Sequence, residues 1–156
     1  MKEKDVFDEK NEIPSNWAKF NVPQEDKIYG TLVSKIQRKS TMDGKEGEME
    51  WVYEIKADYG CFHGCDAKRN ALPDAMVVHA GDYWNVGGKY SLDVQMKNVA
   101  IGTKVGLKYI EERPSKDKLK APSKVIKVFV PRNDDNTPLM DKEWLEAQQS
   151  APVGDF

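Results

Sequence analysis

The stretch Lys27-Ile-Tyr-Gly-Thr-Leu-Val-Ser-Lys-Ile-Gln-Arg38 decides the fold, together with the stretch Glu50-Trp-Val-Tyr-Glu-Ile-Lys-Ala-Asp58. The first is rich in β-branched and aromatic residues, which favour a strand, and Gly30 inside it predicts a bulge or sharp bend. In the second, apolar residues alternate with charged ones, which is the period of a half-buried strand. Turn-forming residues separate the two stretches. The pair predicts a long antiparallel hairpin with a polar loop.

Three further strands and a helix follow along the chain. The strands are expected within residues 76–86, 104–112 and 124–130. The helix is expected within residues 89–98, before the second of these strands. The helix is predicted because Leu92, Met96 and Val99 are spaced three to four residues apart. The order β-β-β-α-β-β predicts a mainly β protein, a five-stranded Greek-key OB-fold barrel with one short helix between strands 3 and 4. Another small barrel or a β-sandwich is the alternative.

The charge of the chain is uneven, although its net value is only −2. Residues 1–26 carry a net charge of −3 and residues 131–156 one of −4, whereas residues 27–130 carry +5. A polyanion responds to local charge, so residues 27–130 are the candidate nucleic-acid-binding domain. Residues 1–26 are expected to be an irregular arm that docks on this domain. Residues 131–156 are expected to be an acidic, flexible tail with a short helix in it.

Composition argues against several classes of protein. No apolar run approaches the ~20 residues of a membrane-spanning helix, and the N-terminus lacks the apolar segment of a secretory signal. We therefore expect a cytoplasmic protein with no membrane partner. We expect no enzyme and no cofactor, because the two histidines have no recognisable nucleophile nearby and no phosphate-binding glycine loop is present. A small metal-dependent enzyme is the weakest alternative.

Four residues raise the question of a zinc site: Cys61, His63, Cys65 and His79. Paired ligands of structural zinc are usually separated by two to four residues. On an extended strand the two cysteines would lie ~13 Å apart, too far to share one ion, although a turn at Gly64 would bring them together. We interpret them as ordinary thiols and expect no metal.

Basic and aromatic residues coincide where an OB-fold binds its ligand. Five basic residues and one acid lie between Arg113 and Lys124, and the first hairpin loop begins with Arg38-Lys39. Basic groups that follow a phosphate backbone and aromatic rings that stack on bases are the physics of single-strand binding. The predicted nucleic-acid-binding residues are Arg38, Lys39, Trp51, Tyr53, Lys56, Tyr59, Phe62, Trp84, Arg113, Lys116, Lys118 and Lys120.

The aromatic members of this set differ in how well they suit stacking. Trp51 and Tyr53 share a face with Ile55, so they are alternatively core residues. The better stacking candidates lie nearer glycine-rich sequence, and they are Tyr59, Phe62 and Trp84.

Several short strings resemble those of phage and prophage OB-fold single-stranded DNA-binding proteins. They are GTLVSK at 30–35, YEIKAD at 53–58, VGGK at 86–89, GTKVG at 102–106 and SKVIKV at 123–128. The acidic end Gly154-Asp155-Phe156 resembles the tails of that class, which recruit replication partners and compete with DNA.

The resemblance implies a protein that coats single-stranded DNA in phage DNA replication or recombination, in the host cytoplasm. It implies that Asp155 and Phe156 bind replication or recombination proteins. A different class stays open, an OB-like barrel adaptor that binds a protein partner through its two acidic ends.

Overall fold

The computed structural model describes residues 16–39, 47–68, 70–88, 90–114 and 123–150, except for the side chains of residues 90, 91, 149 and 150. The strands are β1 (Lys27–Lys39), β2 (Met49–Cys65), β3 (Ala71–Val78), β4 (Tyr83–Gly87), β5 (Lys104–Arg113) and β6 (Ser123–Phe129). The helices are α1 (Tyr90–Met96) and α2 (Lys142–Ser150).

All six strands belong to one antiparallel sheet. The order is β3-β2-β1-β5-β6, and β4 also pairs with β2. With 17 residues, β2 is long enough for two partners: residues 52–56 pair with β4 and residues 60–65 pair with β3. The third strand expected from the sequence is therefore two strands, one on each side of Gly81. The mainly β class and the short helix before β5 are confirmed.

The sheet does not close into the predicted barrel, and no Greek-key barrel is formed by the described residues. Closure would require β4 to pair with β6, and each of these strands has another partner at that edge. The side-chain amide of Gln95 in α1 donates to the carbonyl of Ile126 (2.8 Å) and accepts from the N–H of Val128 (2.9 Å). One side chain thus satisfies the backbone of β6 as a neighbouring strand would.

The described part of the N-terminal arm, residues 16–26, spans the opening between β4 and β6. The N–H of Ala18 donates to the carbonyl of Asn85 in β4 (2.8 Å). Phe20 is buried and meets the edge of Phe62 with ring centroids 5.4 Å apart. At the other end, Lys124 of β6 donates to the carbonyl of Phe20 (2.5 Å). The arm and α1 together cover the core that a closed barrel would have enclosed.

The core is formed by the inward faces of the strands, by α1 and by the arm. Alternation places one side of each strand except β3 inward, as the sequence pattern of β2 predicts. The largest fully buried side chains are Tyr109, Phe62, Ile28, Leu32, Ile55, Leu92, Met96, Leu107 and Ile126.

The C-terminal segment, by which we mean residues 131–150, is attached to the sheet. The N–H of Lys104 donates to the carbonyl of Leu139 and that of Asp141 to the carbonyl of Gly102, both at 2.8 Å. Gly102 has φ +93°, and the ring of Trp144 occupies the space where a Cβ would lie. The helix expected in residues 139–149 is present as α2, and the backbone hydrogen bonds of Leu139 and Asp141 join the residues before it to the sheet.

Asp26 is the buried polar centre that fixes the arm to the sheet. Its carboxylate accepts from the backbone N–H groups of Asn21 (2.6 Å), Val22 (2.8 Å) and His63 (3.1 Å). Its Oδ1 also lies 2.7 Å from Nδ1 of His63. Both side chains are buried, so loss of either leaves polar groups without partners and without water.

We predict that Asp26→Ala lowers the free energy of unfolding by about 2–4 kcal/mol, because one buried and two partly buried N–H groups lose their acceptor. Urea denaturation measures the change. Asp66→Ala is the matched control, since exposed Asp66 accepts from the N–H groups of Lys68 and Asn70 and water can replace it. Equal losses in the two variants would contradict the assignment.

Candidate nucleic-acid interface

Aromatic side chains form a row across the outer face of the sheet. Tyr59 of β2 pairs with Tyr29 of β1, Tyr29 pairs with Gly106 of β5, and Gly106 pairs with Phe129 of β6. Neighbouring strands lie about 4.8 Å apart, so the row spans roughly 14 Å. Residues distant in sequence thus meet on one continuous surface.

A row of lysines runs parallel to the aromatic row. Lys27 pairs with Lys108, and Lys108 pairs with Lys127. Each lysine lies two residues from a member of the aromatic row, so it projects from the same face about 7 Å away. Within the described ranges none of the three is ion-paired. We call this surface the aromatic–lysine face: Tyr29, Tyr59, Gly106, Phe129, Lys27, Lys108 and Lys127.

The rings of this face are accessible. Tyr59 is 56% exposed and Phe129 is 52% exposed. Tyr29 lies between them, with its ring centroid 5.4 Å from that of Tyr59 and the planes tilted by 31°. Because Gly106 has no side chain, a cleft of about 180 Å³ remains between Tyr29 and Phe129. A planar ring can therefore approach the face between two aromatic walls.

Burial and the charge of Lys104 act in opposite directions on the pKa of Tyr29. Partial burial raises the pKa of Tyr29, and the ammonium of Lys104, 5.8 Å from the ring centroid, opposes that rise. Burial disfavours the charged form of Lys104 itself. The hydrogen bond to Asp58 and the charges of Asp58 and Asp141 outweigh this and raise the pKa of Lys104.

The C-terminal segment borders the face on the side of Lys104. Asp141 Oδ2 lies 3.6 Å from Nζ of Lys104 and accepts from the hydroxyl of Thr31. Glu143 Oε2 lies 3.5 Å from Nζ of Lys56. Lys56 thus has a carboxylate partner in this segment, and Lys104 has one there in addition to Asp58 at 2.6 Å. Among the described residues, the lysine row on the other side has none.

Three predicted stacking residues are corrected by the structure. Tyr53, Phe62 and Trp84 are core residues, since alternation directs their side chains inward from β2 and β4. Their rings cannot stack on a base in this conformation. Of the predicted aromatic residues, Tyr59 lies on the aromatic–lysine face, and Trp51 lies at a separate cavity described below.

The predicted basic residues that the structure describes are not brought into one groove. Arg38 pairs with Glu50 (2.9 Å) and covers the ring of Trp17, and exposed Lys39 follows it. Arg113 pairs with Glu111 (2.7 Å) at the end of β5. Because β1 and β5 are antiparallel, Lys39 and Arg113 lie at opposite ends of that pair. Lys116, Lys118, Lys120, Asp155 and Phe156 lie outside the described residues.

Sequence reasoning missed most of the aromatic–lysine face. Tyr29 lies in a strand that was predicted, but its outward direction was not. Phe129 lies in a strand with apolar residues on both faces, and this pattern indicates that one of the two faces lies outside the core. Lys27, Lys108 and Lys127 alternate with buried residues in the same way. Only the register between distant strands shows that these residues adjoin one another.

The cysteine and histidine residues are arranged without a cluster of metal ligands. In the part of the chain that the structure describes, no group of three or more possible ligands is present. His63 Nδ1 faces Asp26 (2.7 Å), and Cys61 Sγ donates to the carbonyl of Glu25 (3.1 Å). Burial is the main cause of a raised pKa of the Cys61 thiol.

Comparisons with known proteins identify no relative. No family model, no curated protein and no solved structure matches the chain. Among the described residues, no helix has the length and apolar character needed to cross a membrane.

We predict that Gly106→Ala leaves the protein as stable as the parent, whereas Gly30→Ala destabilises it. A Cβ on Gly106 would meet its nearest neighbour, Tyr29 Cδ1, at an ordinary 3.6 Å. A Cβ on Gly30, at the bulge of β1, would collide with the backbone of Lys56. Thermal melting compares the two, and a large loss in Gly106→Ala would show that this glycine serves the fold.

Proposed function

We propose that this chain binds single-stranded DNA on the aromatic–lysine face. The observation that carries the proposal is the register that sets exposed aromatic rings beside a row of lysines with no ion-pair partner among the described residues. Rings stack on bases and lysines neutralise phosphates, and together they hold a single strand without reading its sequence. A duplex suits this face less well, because its bases are already stacked on one another.

The sequence that follows β5 is also basic. Lys27 and Lys108 lie toward the end of the β1–β5 pair at which β5 finishes with Arg113. Lys116, Lys118 and Lys120 come next in the sequence, and phosphate contacts by these lysines are part of the proposal.

We propose that the fold is related to an OB-fold whose barrel is open between β4 and β6. The strand order β4-β2-β1-β5-β6 is that of a five-stranded barrel of this class without its closing pair. The choice of DNA, and of a coating role in phage replication or recombination, rests on the resemblance of the short strings. Recruitment of partners through Asp155 and Phe156 rests on it as well.

We predict that Tyr59→Ala and Phe129→Ala each weaken binding to labelled oligothymidine by about 1–3 kcal/mol, the value of one stacked base. Fluorescence anisotropy measures the dissociation constant, and thermal melting confirms that the variants fold. Ile101→Ala is the control, because Ile101 is also an exposed apolar residue but lies off the face. Affinities equal to the parent in both aromatic variants would refute the assignment of the face.

We predict a slope of log affinity against log salt of about −2 or steeper, since each phosphate contact contributes about −0.7 for single strands. Lys108→Gln and Lys127→Gln should each make the slope shallower by about 0.7. Lys19→Gln, which removes an exposed charge of the arm, should leave it unchanged. A salt-independent affinity would exclude the lysine row as a phosphate site.

A second candidate function is an adaptor that binds a protein, and one observation favours it. All of β3 except Val78 is exposed, including Leu72, Met76 and Val77, and among the residues that the structure describes only one edge of β3 is paired. An open apolar edge accepts an added strand from a partner. Failure of oligothymidine to bind at low salt would favour this candidate.

A further inference from the structure

A second cavity, which we call the hairpin pocket, lies on the core-facing side of the β1–β2 hairpin. Lys35, Trp51 and Tyr53 line it from the hairpin, and Asp93, Val94 and Lys97 line it from α1 and the residue that follows. Its volume of about 440 Å³ falls within the ~300–1,000 Å³ typical of small-molecule sites. The cavity is distinct from the aromatic–lysine face, which lies on the outer side of the sheet.

The walls of the hairpin pocket are fixed by hydrogen bonds and close packing. The hydroxyl of Tyr53 donates to Asp93 Oδ1 (2.6 Å), and Lys35 Nζ donates to the carbonyl of Met96 (2.7 Å). At Gly88 a Cβ would collide with Asp93 Oδ1 and approach the carbonyl of Trp51 to 2.8 Å. These contacts hold the helix against the hairpin, so the pocket exists before any ligand arrives.

The lining combines an aromatic wall with positive charge. The indole of Trp51 is 37% exposed and stacks nearly parallel to the ring of Tyr53, with centroids 6.5 Å apart and planes at 12°. Lys35 and Lys97 supply two ammonium groups, whereas Asp93, the one carboxylate among the described lining residues, already accepts from Tyr53. Burial lowers the pKa of Lys35, and an anion beside it would compensate for that burial.

We propose that the hairpin pocket binds one nucleoside monophosphate unit, with the base against Trp51 and the phosphate toward Lys35 and Lys97. A planar ring joined to an anion matches an indole wall flanked by ammonium groups. The choice of a nucleotide among such aromatic anions rests on the proposed function. The unit is either the phosphorylated end of a bound strand or a free mononucleotide.

Calorimetric titration of the full chain with thymidine 5′-monophosphate and with thymidine tests the proposal. The monophosphate should bind more tightly than the nucleoside. Trp51→Ala should weaken both ligands by about five- to 150-fold, the worth of one stacked base. Lys97→Gln changes only an exposed side chain and should weaken the monophosphate while leaving thymidine unchanged.

A matched control separates this site from the aromatic–lysine face. Tyr59→Ala should leave binding of the monophosphate unchanged. If the monophosphate does not bind, or if Tyr59→Ala abolishes binding and Trp51→Ala does not, the pocket assignment is overturned. Binding of oligothymidine by the parent chain would still uphold the proposed function in either case.

Two oligothymidines, with and without a 5′-phosphate, distinguish the sources of the nucleotide. If the pocket takes the strand end, the phosphate tightens binding and Trp51→Ala removes the difference. If the pocket binds a free nucleotide, the two oligonucleotides bind with equal affinity. Thymidine 5′-monophosphate then binds in the pocket while an oligonucleotide occupies the aromatic–lysine face. Either result supports a nucleotide site, provided that the monophosphate titration depends on Trp51.

Discussion

The backbone groups of β4 and β6 at the opening of the sheet need hydrogen-bond partners, and the rest of the structure depends on how they find them. Buried N–H and C=O groups without partners are costly. In a closed barrel, the backbone groups of β4 and β6 would hydrogen-bond to each other. Here the arm pairs with β4 through Asn85, and the amide of Gln95 serves β6 at Ile126 and Val128. The arm and α1 therefore become parts of the domain, and Asp26 anchors the arm where it joins β1.

The same arrangement leaves the outer face of four strands available. The alternation that buries Ile28 and Leu107 directs Tyr29 and Lys108 outward. Gly30 permits the bulge at which β1 approaches the backbone of β2, and this shift in register sets Tyr29 opposite Tyr59. The C-terminal segment covers the sheet only as far as Lys104. The accessible rings and lysines are thus a consequence of strand register and of where that segment ends.

Local pattern predicted much of the fold. The alternation in residues 50–58, the glycine in β1 and the spacing of Leu92 and Met96 all indicated the elements that form. Local pattern could not predict closure, because the competitors for the edges of β4 and β6 are a side-chain amide and an irregular arm. It also could not decide that Phe62 faces inward, since β2 changes partner and register near that residue.

The aromatic–lysine face was harder to predict from the sequence than the fold. Tyr59 was predicted, but its partners Gly106 and Phe129 come from strands far along the chain, and only pairing brings them together. Most of the basic residues predicted to bind nucleic acid are clustered along the sequence, whereas Lys27, Lys108 and Lys127 are far apart in it. A single sequence reveals clusters along the chain more readily than rows across a sheet.

Ultraviolet cross-linking of the full chain to oligothymidine, followed by mass mapping of the modified peptides, tests the central claim most directly. The account predicts that adducts concentrate on the peptides that contain Tyr29, Tyr59 and Phe129, and that excess unlabelled oligothymidine removes them. Adducts confined to β3 or to residues 131–150, with the aromatic–lysine face unmodified, would contradict it.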